Sequence, residues 1–245
     1  MVTATPAGSA GRTQPGSRTA VVTGGASGIG RAVVAELSAR GWAVASLDLQ
    51  PASVADHSVQ VDVTDAAAVA EAVRDVEDRL GPLGAAVNVA GYYEMLPVAD
   101  ITADQWQRML RVHLGGTANL ARATLPSMLR QGDGSFVAIA SELAVGGGAE
   151  DAHYAAAKGA ILGLVRSLAA EVAPLGVRVN AVAPGPTDTP LIGPDSPWRA
   201  PDYLATLPLR RLVTPEEVAL CVAFLVEEGT FCVGEVLNVN AGAVI

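Results

Sequence analysis

Ser141, Tyr154 and Lys158 are the residues of this chain whose types and spacing could do chemistry together. Tyr154 and Lys158 are four apart, so on a helix they share a face. A free phenol has a pKa of about 10 and needs help to act as an acid or base near neutrality. An ammonium one helical turn away favours the phenolate and lowers that pKa. A serine hydroxyl at a preceding strand end could bond the oxygen that gains or loses the proton. The set could move a proton on and off a carbonyl oxygen while a separate carrier moves a hydride. Alone, Tyr-x-x-x-Lys is a common chance pairing on helix surfaces, so its meaning depends on what lies upstream.

Upstream, an apolar run at Thr19–Thr23 reads as a strand entering Thr23-Gly24-Gly25-Ala26-Ser27-Gly28-Ile29-Gly30, with a helix expected from about Gly28 to Arg40. Glycines in such a loop let a diphosphate approach the backbone and meet the free N–H groups of the helix N-terminus. A second strand, Ala43–Asp48, ends on an acid about twenty residues beyond the loop. Asp48 can accept bonds from both ribose hydroxyls and would repel a 2′-phosphate, which favours NAD over NADP. No Arg or Lys lies between Leu49 and Asp56 to reverse this.

The rest of the chain alternates in the same way. Strands are expected at Ser58–Val61, Gly84–Asn88, Ser135–Ala140, Val177–Val182 and Glu235–Val239. Helices are expected at Asp65–Leu80, Thr102–Arg130, Tyr154–Glu171 and Thr214–Glu227. This alternation indicates an α/β fold, a single doubly wound Rossmann-type domain with a parallel sheet flanked by helices on both faces. The domain is expected over residues 19–245, after a disordered tail at 1–18. The Pro-rich stretch 187–213, with Trp198 and Tyr203, breaks the rhythm. It reads as a lid over a small-molecule site or as an excursion packing on a neighbouring subunit.

Composition sets the outer limits. The chain has 245 residues, a formal charge of −9 and a pI near 4.8. The acidic balance argues against nucleic acid and anionic membrane as partners. No apolar run approaches the roughly 18 residues of a membrane span. Cys221 and Cys232 lack metal-ligand spacing and read as thiols of a reduced, cytoplasmic protein. No metal constellation is visible.

These motifs together resemble the short-chain dehydrogenase/reductase family over about Thr19 to Gly242. The glycine loop matches the family's Thr-Gly-x-x-x-Gly-x-Gly, and Asp62-Val63 matches a pair that touches adenine. Asn88-Val89-Ala90-Gly91 matches Asn-Asn-Ala-Gly with valine in second place. The step from Ser141 to Tyr154 matches the active-site spacing, and Asn180 to Thr189 matches the Pro-Gly segment (Pro184, Gly185) that meets nicotinamide. The resemblance implies a reversible hydride transfer between NAD(H) and a secondary alcohol or ketone, cyclic or hydroxylated. Tyr154 would exchange the proton, Lys158 would bond the nicotinamide ribose, and Ser141 would hold the substrate oxygen. Backbone at Ile29, Ala90 and Gly91 would hold phosphate and ribose, Thr189 the carboxamide, and Thr187 would lie near the phosphates. It also implies a homo-oligomer, a tetramer before a dimer. The short Asp48–Asp62 link and Thr187-Asp188-Thr189 are similar to 2,3-dihydro-2,3-dihydroxybenzoate dehydrogenases. A 3-oxoacyl carrier-protein reductase and a non-catalytic NAD(H)-binding regulator remain as alternatives.

The sequence departs from the family in one place. His113 stands where such enzymes usually carry an Asn that helps link the lysine to solvent. Imidazole could replace the amide in a proton relay, since it can both donate and accept, or could simply fill space. Glu94, Glu142, Tyr92 and Tyr93 follow the motifs closely enough to approach a substrate, and His153 precedes Tyr154. Acids there suit a hydroxylated or cationic substrate better than a carboxylate or phosphate.

Overall fold

Strands with no exposed face need cover on both sides, and this requirement organises the computed structural model, which describes residues 17–244. The strands are β1 (Thr19–Thr23), β2 (Ala43–Asp48), β3 (His57–Gln60), β4 (Leu83–Asn88), β5 (Gly134–Ile139), β6 (Val177–Pro184) and β7 (Val236–Val239). They form one sheet in the order β3-β2-β1-β4-β5-β6-β7, and every neighbouring pair is parallel. The helices are α1 (Gly28–Ala39), α2 (Ala66–Leu80), α3 (Ala103–Leu110), α4 (Gly116–Gln131), α5 (Leu143–Gly146), α6 (Ala152–Val172), α7 (Pro201–Thr206) and α8 (Pro215–Glu227).

Every residue of β1 and β5 is buried, as parallel strands covered on both faces should be. Their side chains alternate between two cores. Val21 faces a core built with Val69 of α2, Leu120 of α4 and Ile161 of α6. Ala20 and Val22 face a core built with Val33 and Leu37 of α1 and Val222 and Leu225 of α8. The expected α/β sheet is therefore present, and the order of its strands reverses between β1 and β4, where such sheets open a crevice.

The element boundaries differ from expectation in physical ways. Asp65, Thr102 and Thr214 stand just outside their helices as N-caps. The latter two form capping boxes with Gln105 and Glu217, satisfying backbone donors the first turn leaves free. β3 starts one residue early, at His57, β6 runs on to Pro184, and β7 starts at Val236. The expected long helix from Thr102 to Arg130 is broken by a π-helical turn over Arg111–Gly115, where Thr117 Oγ1 donates to the His113 carbonyl at 2.7 Å. Gly116 follows it, and a Cβ there would lie 2.9 Å from Val63 Cγ2. The Pro-rich segment is less irregular than its composition suggests. Prolines at the first positions of a 3₁₀ turn (Pro197–Arg199) and of α7 preset helical φ. Residues 1–16 of the expected tail lie outside the described residues, and Arg18 is tied to Glu227 at 2.6 Å. No helix among the described residues is long and apolar enough to cross a membrane.

Candidate active site

The C-terminal strand ends and the loops above them enclose a cleft of about 490 Å³. One end is set by the glycine loop between β1 and α1. Gly24 and Gly28 have φ of +70° and +50°, a region that side chains disfavour. A Cβ on Gly24 would lie 2.9 Å from Ala90 N, and one on Gly30 would lie 2.0 Å from the Gly24 carbonyl. The bare backbone thus lets the loop pack closely against Ala90 and against itself, and Ser27, Ile29, Ala90 and Gly91 line a cradle over the α1 N-terminus. Asp48 braces it: Oδ2 accepts from Ala26 N and Oδ1 from Gln50 N, both at 3.0 Å. Each oxygen keeps further acceptor capacity toward the cleft. Asp62 is exposed on the same rim, with Oδ1 taken by Thr64 N, and buried Val63 lies beside it. Pro184, Gly185, Thr187 and Thr189 close the far side. Thr189 is the nearest neighbour a Cβ on Gly28 would meet, at 3.3 Å.

Asn88 is the exception among the expected cofactor residues, because it does not line the cleft. Its Oδ1 accepts from Thr23 Oγ1 and its amide donates to Thr117 Oγ1. Thr23 Oγ1 in turn receives Val89 N and Ala90 N. Asn88 therefore ties β1, β4 and α4 together and positions the Ala90–Gly91 backbone from behind.

Ser141 leaves the end of β5, and α6 carries Tyr154 and Lys158 on the face that meets the cleft. Lys158 Nζ donates to the Ile139 carbonyl at 2.8 Å and lies 5.7 Å from the Tyr154 ring centroid. Burial pulls the lysine down to about 7. The expected depression of Tyr154 is not present in this arrangement. Burial first, and the charge of Glu142 second, push the phenol above its usual range, and the Ser141 hydroxyl offsets this only in part. The lysine contributes little because desolvation weakens its own charge and its ammonium is aimed at a carbonyl.

His113 sits beneath this set, fully buried, with its ring edge-on to Tyr154 at 5.4 Å and tilted against Tyr92. Its Nε2 lies 2.8 Å from the Tyr92 carbonyl and 3.3 Å from Tyr92 N. One atom cannot serve both, and the shorter contact makes Nε2 the donor. Burial, with the charge of Lys158 second, drives the imidazole down to about 3, so it stays neutral at working pH. A ring whose N–H is committed to a carbonyl cannot pass a proton on, and the geometry supports the space-filling reading over the relay. His113→Asn is therefore expected to keep the pH profile of turnover in place; a displacement of more than about half a pH unit would restore the relay.

The opposite end of the cleft is lined by Tyr92, Tyr93, Glu142, Leu143 and Trp198. Trp198 Nε1 donates to Tyr93 Oη at 3.1 Å, and Tyr93 Oη donates to Asp151 Oδ1 at 2.7 Å. Tyr93 also meets the Tyr154 ring edge-on at 5.0 Å. Glu94, His153 and Tyr203 do not line the cleft: His153 is buried against Trp106, and Tyr203 packs behind Trp198. Arg108 and Arg111 line it without having been anticipated. Their i, i+3 spacing, ending two residues before His113, was the available signal. No group of His, Cys, Asp and Glu among the described residues is placed to hold a metal.

Comparison with known proteins agrees with this geometry. Residues 24–244 match a family model described as enoyl-(acyl carrier protein) reductase. The chain is 38% identical to cis-4-hydroxycyclohexanecarboxylate dehydrogenase of Sinomonas cyclohexanicum, over 92% of this chain and 96% of that protein. It is 33% identical to the 3-oxoacyl acyl-carrier-protein reductase of Salmonella typhimurium, over 91% and 96%. The aldohexose dehydrogenase of Thermoplasma acidophilum superposes with a TM-score of 0.86 at 30% identity, covering 92% of this chain and 93% of that one.

Proposed function

The chain belongs to the short-chain dehydrogenase/reductase family, oxidoreductases acting on CH–OH groups, and on that premise we propose that it interconverts a secondary alcohol and its ketone with NAD as cofactor. One observation carries the reading: a dinucleotide cradle and the Ser141, Tyr154 and Lys158 side chains open into a single cleft. The cradle fits such a cofactor because the glycine loop and the α1 N-terminus line the cleft, where free backbone N–H groups suit a diphosphate, and Asp48 keeps acceptor capacity on the same wall for ribose hydroxyls.

When bound, the nicotinamide accepts or supplies the hydride. The protein's own part is proton handling and orientation. Tyr154 Oη takes the alcohol proton during oxidation and returns it during reduction. Ser141 Oγ donates to the substrate oxygen and holds it beside Tyr154. Lys158 would bond the ribose hydroxyls. Ile29, Ala90 and Gly91 offer backbone groups to phosphate and ribose, Asp62 and Val63 border the adenine, Thr189 orients the carboxamide, and Thr187 lies toward the phosphates. The segment 187–213 acts as a lid, supported by the Trp198–Tyr93 hydrogen bond that joins it to the cleft wall.

The preference for NAD rests on Asp48, whose carboxylate would face a 2′-phosphate with like charge. Asp48→Ala is expected to lower kcat/KM with NAD about tenfold or more, as befits hydrogen bonds to a charged group, and to narrow the ratio between NAD and NADP. Because Asp48 also braces Ala26, the ratio is the informative quantity. A spectrophotometric screen of alcohols with both cofactors measures it, and a wild-type preference for NADP would overturn the reading.

The unpaired thiols Cys221 and Cys232 support a reducing, cytoplasmic setting. Exposed Leu220, Phe231 and Val233 support burial in a homo-oligomer, with a tetramer as the first candidate for sedimentation analysis. Reduction of a 3-oxoacyl carrier-protein substrate is the second reading, favoured by the 33% identical relative. The formal charge of −9 opposes docking of an acidic carrier protein, and the same screen with an acyl thioester separates the two.

A further inference from the structure

We propose that Glu142 selects substrates bearing a second hydroxyl on the carbon next to the reacting carbinol, by accepting a hydrogen bond from it, and that it disfavours anionic substrates. This rests on the dehydrogenase function proposed above and names the substrate class of that site.

Glu142 directly follows Ser141, is only 5% exposed, and lines the cleft. Its backbone is pinned where Glu142 N donates to the Pro184 carbonyl at 3.0 Å. Its Oε2 accepts from Ser141 Oγ at 3.3 Å. It lines the cleft together with Tyr154 of α6 and with Trp198 of the segment 187–213. A carboxylate can accept about four hydrogen bonds, and Ser141 supplies one long one, which is given up when its single O–H turns to the reacting oxygen. None of the ion pairs among the described residues includes Glu142, and desolvation, with Asp151 adding to it, pushes the acid up to about 7. A buried acid without a cation calls for further donors, and the cleft is the open direction.

The spacing identifies the donor. Ser141 Oγ is the group placed to hold the reacting oxygen, and Glu142 Oε2 is a single hydrogen-bond length farther along the wall. Neighbouring oxygens of a gauche vicinal diol are also about 3 Å apart, so one can meet Ser141 while the other meets Glu142. A substrate carboxylate would instead bring like charge against Glu142 with Asp151 behind it. Arg108 and Arg111 also line the cleft, but both are exposed, where solvent screens them, and neither pairs with Glu142.

The test compares kcat/KM with NAD for cis-1,2-cyclohexanediol, cyclohexanol and cis-4-hydroxycyclohexanecarboxylate in wild type, Glu142→Gln and Glu142→Ala. NADH binding by fluorescence and thermal unfolding report whether each variant is folded and loaded. Wild type is expected to prefer the diol over cyclohexanol by about tenfold or more, the scale of one hydrogen bond to a charged acceptor. Glu142→Ala should abolish that preference, read as the ratio of diol to cyclohexanol so that any change common to both through Ser141 and Tyr154 cancels, and improve the carboxylate relative to cyclohexanol; Glu142→Gln, which keeps an acceptor oxygen, should retain part of the preference. Equal oxidation of diol and monoalcohol by wild type, or an equal fall for both in Glu142→Ala, would overturn the selection by Glu142 while leaving the dehydrogenase reading intact. Bound NADH with no oxidation of any alcohol, using either cofactor, would overturn both.

Discussion

Replacing Tyr154 by phenylalanine is expected to lower kcat by about 10²–10⁴-fold, the range supplied by a positioned general acid–base group, with NADH affinity almost unchanged. The two parts of this result come from different features of the same side chain. The ring packs edge-on against Tyr93 and His113, and phenylalanine preserves both contacts. Only the hydroxyl is lost. Tyr154 is raised above its usual range by burial and by Glu142. Alcohol oxidation should therefore accelerate toward alkaline pH, where more of the phenolate forms, and ketone reduction should not. Initial rates in both directions, with fluorescence titration of NADH, measure all three quantities. Retention of near wild-type kcat would remove Tyr154 from the chemistry.

Replacing Lys158 by methionine should separate activity from stability. Turnover is expected to fall by about 10²–10³-fold, because the donor toward the ribose, which seats the nicotinamide beside Tyr154, disappears. Stability is expected to rise. Burial lowers the lysine from 10.5 to about 7 in the folded protein, a difference of 10.5 − 7 = 3.5 units. At about 1.36 kcal/mol per unit, this is a folding penalty of up to roughly 5 kcal/mol. The lost bond to the Ile139 carbonyl returns about 1 kcal/mol of it. The pH dependence has a definite sign. Between pH 7 and 10.5 the unfolded chain binds a proton that the folded chain does not, so wild-type stability rises with pH across that window. The advantage of Lys158→Met should be largest at pH 6 and shrink as pH approaches 10. Thermal unfolding at several pH values reads this directly; a variant less stable than wild type at every pH would show that Lys158 is not held at a cost.

The parts of the site that were legible in the sequence are those whose chemistry is local. A tight turn over a helix N-terminus needs glycine, so Gly24, Gly28 and Gly30 mark the cradle without reference to any distant residue. The place of Asp48 beside the loop was legible for a similar reason, since the second strand runs parallel to the first and ends next to it, where Asp48 accepts from Ala26 N. Helix starts were marked by Asp65, Thr102 and Thr214, whose side chains cap the turns that follow them. What could not be read depends on residues far apart in the chain. Asn88 sits within a matching motif, yet its side chain turns away from the cleft because Thr23 and Thr117 offer it partners. The π turn at Arg111–Gly115 is followed by Gly116, which lies against Val63, a neighbour far away in the chain. The proton state of the Tyr154 and Lys158 pair is set by burial, which helix spacing does not report. The weight of Glu142 beside Ser141 required knowing that it is buried and that none of the ion pairs among the described residues includes it.

The central claim, hydrogen transfer between a substrate carbinol and a nicotinamide in this cleft, is tested most directly by isotope tracing. Cis-1,2-cyclohexanediol deuterated at its carbinol carbons is oxidised by the wild-type protein with NAD, and the reduced cofactor is examined by proton NMR. The account predicts deuterium at C4 of the nicotinamide, on one face only and undiluted by solvent hydrogen. Reduced cofactor carrying solvent hydrogen at C4, or label divided between both faces, would contradict it.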